Sequence, residues 1–345
     1  MRKIVVCLAA VALALAGVCA PAAAKMVIKY GHVAPPFHGQ SKGVDAFAKY
    51  VAEKTGGEII IKTFPFGQLG PERSMAEQVQ AGTLEMATIT TAVLQNYVPE
   101  VAIMDLPFVF PNRKVAYAVI DDPEFQKRIF SYFPKKGFIA IGWTENEFRD
   151  ITNRLHPIHR PEDLKGMKIR VMKSPVYIDT FKQLGASPVA IPFPELYNAL
   201  QQGVIDAQEN PLLTSILIKA TEVTKYATKT GHILTECVQI VNPAFWARLT
   251  PKQKQIFREA AKIALKVNRE TNAQLAKKLP KLGISIEEYC KRNHVQVVYL
   301  TPEERAAFAK AMRPVWDKYR KIVGPKLFDF FMAKINYYKN KLGAK

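Results

Sequence analysis

Arg170 lies in the run Met167-Lys168-Ile169-Arg170-Val171-Met172, whose apolar and β-branched composition predicts a strand over 167–172 with Arg170 near its end. In open α/β sheets ligands collect outside the carboxyl ends of the strands. A guanidinium held there presents a planar fork that meets a carboxylate or a sulfonate with two parallel hydrogen bonds. The competing assignment is a surface arginine paired with a neighbouring acid. Other reactive residue types are dispersed. Glu145, Glu147 and Glu209 are carboxylates able to serve as general acid or base. His156 and His159 share an HPIH turn with no third metal ligand nearby, a pattern of surface loops. Cys237 and Cys290 stand outside any CxxC or Cys/His pattern, and the sequence leaves open whether they pair. The chain carries no GxGxxG, Walker loop, GxSxG, HExxH or SxxK signature, so neither catalysis nor a cofactor is expected.

The elements that must position Arg170 alternate between short β-branched runs and longer amphipathic ones, the pattern of an α/β chain. Strands are predicted at 26–33, 58–64, 84–90, 137–143 and 167–172. Helices are predicted from Gly39 to Thr55, stopped by Gly56-Gly57, and from Pro71 to Ala81, stopped by Gly82. Further helices run from Ser174-Pro175 to Leu184-Gly185 and from Pro194 to Gln202. Long helices follow from Pro251 to about Lys278 and from Thr301 onward. No repeat of 20–50 residues recurs.

The 345 residues are 48% hydrophobic and 23% charged, which excludes a disordered chain. The formal charge of +19 raises the question of nucleic acid. Residues 251–345 alone hold 22 Lys+Arg against 8 Asp+Glu, but these alternate with apolar residues at helical spacing, as in KQKQIFREAAKIALKV. That is a solvated helix face, and no Arg-rich tract, aromatic RNP-like motif or zinc finger accompanies it, so no nucleic-acid partner is expected. Residues 1–24 have Arg2 and Lys3, an apolar run from Ile4 to Val18 and Ala22-Ala23-Ala24, the three parts of a secretory signal peptide. The mature protein is expected in the periplasm.

Three stretches together resemble the periplasmic substrate-binding subunit of TRAP transporters, the dicarboxylate-binding subunit family of tripartite ATP-independent periplasmic systems. They are FGQLGPERSMAEQVQAGTLEMA (66–87), DLPFVFPN (105–112) and LKGMKIRVMKSPVYIDTFKQLGASPVAIPFPELYNALQQGVIDAQENPL (164–212). The resemblance places the family's ligand-clamping arginine at Arg170 and a second head-group arginine at Arg149. It puts the amide that hydrogen-bonds the same head group at Asn210, which without the resemblance could equally cap the turn before Pro211. Phe193 matches the aromatic over the ligand, with ordinary core as its alternative. Glu72 matches a contact to the far end of the substrate, with Gln68 beside it, while Thr90 and Val33 stand where other members are more polar. His32 and His38 flank the first loop as added hydrogen-bonding groups, and His232 is similar to a position near the cleft.

Where the family often has glycine, this chain has Glu147; if 147–151 is extended, Glu147 and Arg149 share a face and pair. That would leave charge for a small monoanion rather than a dianion. The resemblance implies an α/β, two-lobed periplasmic binding protein with crossover segments and a long bracing helix. Lobe I is expected from 25–147 plus 236–275, and lobe II from 148–235 plus 276–345. The cleft would close on a small organic anion, a carboxylate or a sulfonate such as isethionate, for delivery to the small and large TRAP membrane permease subunits. Two other classes fit the residues: an extracytoplasmic enzyme acting on a small organic acid, and a receptor presenting ligand to a sensor.

Overall fold

The computed structural model describes residues 25–344; the expected signal peptide lies outside the described residues. Strands β1 (Met26–Gly31), β2 (Ile59–Phe64), β3 (Met86–Thr90), β4 (Ile139–Phe148) and β10 (Leu234–Val241) form one sheet. Its order is β2-β1-β3-β10-β4, with β1 parallel to β2 and β3 and with β10 antiparallel to β3 and β4. Strand β10 was not anticipated. It is buried along its whole length, so Glu236 and Gln239 interrupt the hydrophobic run without producing the alternation of a half-exposed strand.

The second sheet contains β5 (Asp150–Asn153), β6 (Lys168–Val171), β7 (Ser187–Ala190), β8 (Ala207–Asn210), β9 (Tyr226–Lys229) and β11 (Gln296–Tyr299), in the order β11-β9-β5-β8-β6-β7. Each of these strands has four residues, too few to display a period of two. Strand β6 is parallel to both β7 and β8, so the carboxyl ends of all three point the same way.

Two short crossovers join the sheets, besides the long connection from β10 to β11. One passes from β4 to β5 through Arg149 alone, and the other from β9 to β10 through Thr230–Ile233. They are bonded to each other: Arg149 N–H donates to the Ile233 carbonyl at 2.9 Å, and His232 N–H to the Arg149 carbonyl at 3.2 Å. Helix α1 (Gly39–Lys54) packs along helix α4 (Pro251–Lys277), with α2 (Glu72–Ala81) and α3 (Pro175–Gln183) between them in sequence. The start of α4 is fixed by a reciprocal cap between Thr250 and Gln253. The helices approach so closely that a Cβ on Gly43 would stand 2.4 Å from the Ala264 carbonyl oxygen, so glycine is required there. Helix α5 (Arg313–Val323) contacts both α3 and the Pro99–Asp105 turn, and α6 (Pro325–Lys341) lies on the 113–120 helix of the first lobe. Cys237 and Cys290 are separate, buried thiols.

Candidate functional site

The parallel strands of both sheets direct their carboxyl ends to one cleft, where a narrow cavity is lined by Arg170, Phe193, Asn210, Glu72, Thr90 and His38, among others. Arg170 is the third residue of β6, pairs in register with Gln208 of β8, and is 1% exposed. Its Nε–H donates to the Ile191 carbonyl at 2.8 Å, which fixes the side chain against the segment after β7. Its Nη1 has no partner among the described residues. Burial pulls this guanidinium down to about 10, only partly countered by Glu209. A buried donor left unmatched is unfavourable, so the arrangement favours an anion that would complete it. Asn210 ends β8 on the same side; its Nδ2 donates to Gln208 Oε1 at 2.6 Å, leaving one amide hydrogen uncommitted.

From the first lobe, Glu72 begins α2 and is held by Thr90, whose backbone N–H donates at 2.7 Å and whose hydroxyl donates at 3.1 Å. Burial raises the Glu72 carboxyl, although the Thr90 bonds and both arginines oppose that shift. Phe193 is half-buried beside the cavity. The lobes are joined at the cleft's flank: Asn96 Nδ2 donates to the Lys173 carbonyl at 2.9 Å, and Gln95 Nε2 donates to Ser174 Oγ at 2.5 Å.

Arg149 is placed differently from the expectation. It does not line the cavity. Its Nε and Nη2 are bound by the Glu209 carboxylate and backbone carbonyl, and Nη2 also donates to Asn210 Oδ1 at 2.9 Å. Both Arg149 and Glu209 are 0% exposed. Burial would raise the Glu209 carboxyl, but Arg149 and then His232 outweigh it and hold the group low. The expected Glu147–Arg149 pair does not form. Glu147 has φ of 55° at a register shift between β4 and β10, which breaks the alternation of faces before Arg149, and its carboxylate instead accepts from Arg113 Nη1 at 3.1 Å. Arg149 therefore holds Asn210 and the crossovers in place, and Arg170 is left as the arginine whose charge faces the cavity.

Gln68 is exposed and His32 is fully buried, and neither lines the cavity. Sequence reasoning missed Gln40, Asn146, Thr214 and Cys237, which do line it. Their signal was absent because they come from four separate segments that only the fold assembles. His232 sits behind the cavity, with Nε2 3.4 Å from Glu209 and Nδ1 2.8 Å from the Thr230 hydroxyl.

Behind this layer, Asp105 is fully buried, accepting from Thr91 Oγ1 at 2.8 Å through one oxygen while the other has no partner. Burial pushes its carboxyl up to about 8. The folded state then holds a proton that the unfolded chain releases near pH ~4, so this group's contribution to stability falls as pH rises from ~4 through ~8. Asp105→Asn is expected to stabilise the fold at pH 8 by about 1–3 kcal/mol. Thermal melts across pH should show that gain shrinking toward pH ~4; an equal gain at every pH would remove Asp105 as its cause.

Two facing α/β lobes, joined by two bonded short crossovers and with a buried arginine in the cleft between them, have the architecture of a solute-binding protein. Residues 30–322 match the model of the bacterial extracellular solute-binding protein, family 7, and the chain belongs to that family. A solute-binding protein of Verminephrobacter eiseniae is 35% identical over 289 residues, covering 83% of this chain and 82% of its own. A TRAP periplasmic solute-binding protein of Desulfovibrio salexigens, solved with bound orotic acid, superposes with a TM-score of 0.85 at 33% identity over 91% of this chain and 100% of its own. That of Polaromonas, bound to D-erythronate, gives 0.82 at 32% identity over 90% and 99%. Among the described residues no helix is long and apolar enough to cross a membrane.

Proposed function

We propose that this chain is the periplasmic solute-binding subunit of a TRAP transporter, exported by its leader, and that it captures a small organic monoanion for a permease of small and large membrane subunits. The ligand's carboxylate or sulfonate docks on Arg170 and Asn210, with Phe193 alongside. The observation that carries this reading is the Arg170 Nη1: buried, without a partner among the described residues, and held by Ile191 at the carboxyl end of a strand. The monoanion preference rests on Arg149, whose charge is already matched by Glu209. The bound orotic acid and D-erythronate of the two solved relatives are anions of the same size class. Binding across both lobes stabilises the shut form, the state that a permease would recognise.

The test is a thermal-shift screen of protein unfolded and refolded to remove carried-over ligand, against C2–C6 carboxylates and sulfonates, isethionate included. A ligand that binds only the native state must raise the melting temperature with its concentration. A concentration-dependent rise with at least one acid is expected. Indifference to every acid in the panel would contradict the reading.

A further inference from the structure

Strand β4 closes one side of the first sheet, with β10 as its one neighbour. An edge of this kind leaves backbone N–H and C=O groups free to pair with another chain, and proteins blunt it with short strands, lysine, proline, bulges or a covering helix. The other sheet edges follow that rule: β2 carries Lys62, β7 has four residues and includes Pro188, and β11 has four. Strand β4 has ten residues, and its first half, Ile139–Trp143, holds neither charge nor proline. Its safeguard there is a register shift against β10, which makes Ile141 the extra residue of a bulge and takes it out of the regular ladder. Among the described residues only β10 bonds to the Ile139–Gly142 backbone.

A groove opens on this stretch and is lined by the four consecutive residues Ala140–Trp143. Side chains along a strand point to opposite faces, so a groove touching all four meets the strand at its edge. One wall is the Pro123–Phe130 helix, whose Phe130 packs on Trp143 with ring centroids 4.7 Å apart. The other wall is α4, through Leu265 and the cations Arg258 and Lys262. These two cations lie one helical turn apart, are exposed and form no ion pair among the described residues, whereas the next one along, Lys266, pairs with Glu270 at 3.9 Å. None of the residues lining this groove lines the cleft cavity.

Free backbone groups at strand spacing are met by an extended chain, apolar walls take its alternate side chains, and unpaired cations take acids. A second copy of this chain is a poor occupant, because both copies carry +19. We propose that the β4 edge, between the Pro123–Phe130 helix and α4, is a docking groove for an extended acidic segment of a partner protein, which adds to the first sheet as a further strand. The bulge limits the paired stretch to a few residues, so the helix walls supply the rest of the contact.

Three fluorescein-labelled seven-residue peptides that alternate Glu with Val, Ile or Phe serve as probes, titrated by anisotropy onto the refolded full chain. Each has two counterparts, one with lysine for glutamate and one with proline at its centre. At least one Glu peptide is expected to bind saturably, and its counterparts at least about tenfold more weakly. Bound peptide should slow amide hydrogen exchange within 139–143 at least about fivefold, which contact with the cations alone would not do. Arg258→Glu combined with Lys262→Glu should weaken the peptide at least about tenfold. Both residues are exposed and outside the cleft, so the melting temperature and acid binding are expected to match wild type. No saturable binding, equal binding of the proline counterpart, unslowed exchange within 139–143, or undiminished binding by the double variant would each overturn the groove. The peptide should bind Arg170→Ala as it binds wild type; its loss there would place it in the cleft and overturn the groove too. A wild-type dimer in sedimentation that the peptides dissociate would make a second copy the occupant and overturn the acidic partner.

Discussion

Arg170→Ala is expected to weaken anion binding by about 10²–10³-fold while leaving the unliganded protein folded and at least as resistant to heat. Both halves of that result come from the same geometry. In the unliganded protein the guanidinium is 1% exposed, makes one described hydrogen bond through Nε and is pulled down to about 10 by burial. A charge in that position costs stability rather than supplying it, so truncation relieves the fold. In the complex the same guanidinium is the group that matches the anion, and a desolvated charge-assisted pair is worth far more than an exposed one. Arg170→Lys should recover only part of the affinity, since a point charge cannot reproduce the fork. Titration calorimetry together with melts of ligand-free protein reads both effects. Strong destabilisation by Arg170→Ala without loss of affinity would make Arg170 structural.

The opposite outcome is expected one layer deeper. Glu209→Gln should destabilise the protein by about 3–5 kcal/mol, because it leaves Arg149 charged in a fully buried position. Arg149→Met alone should cost a comparable amount by stranding the Glu209 carboxylate, and the double variant should recover much of the loss. The pH dependence has a defined sign. Glu209 is held below its usual range, so its contribution is complete above the unfolded carboxyl value near ~4.3 and is lost as pH falls through its lower folded value. Glu209→Gln should therefore flatten the loss of stability on acidification. Denaturant titrations at pH 7 and at about pH 3, below the unfolded carboxyl value, decide it. If the two single losses simply add in the double variant, the pair is not coupled.

The residues that could be read in advance are those whose signals are local. The helix of 72–81 is bounded by Pro71 and Gly82, and Arg170 sits in an apolar strand whose end faces the cleft. Local patterns were silent where burial is complete or partners are distant. Strand β10 is buried on both faces, so no alternation marks it. The Arg149–Glu209 pair joins residues 60 positions apart, and Glu209 carried only the general signal of a carboxylate near Asn210. The Glu147–Arg149 pairing failed because a strand's period of two does not survive a left-handed residue at its end. His38 drew attention only as a histidine near the first loop. Its place on the cavity wall comes from its position as the N-cap of α1, where its Nδ1 accepts from the Gln40 backbone N–H, which composition cannot express.

A crystal structure of the refolded protein with whichever small acid raises its melting temperature most tests the central claim most directly. The account predicts the head group within hydrogen-bonding distance of Arg170 Nη1 and Asn210 Nδ2, with Arg149 still bound to Glu209. A head group seated away from Arg170, with that guanidinium bonded only to Ile191, would contradict it.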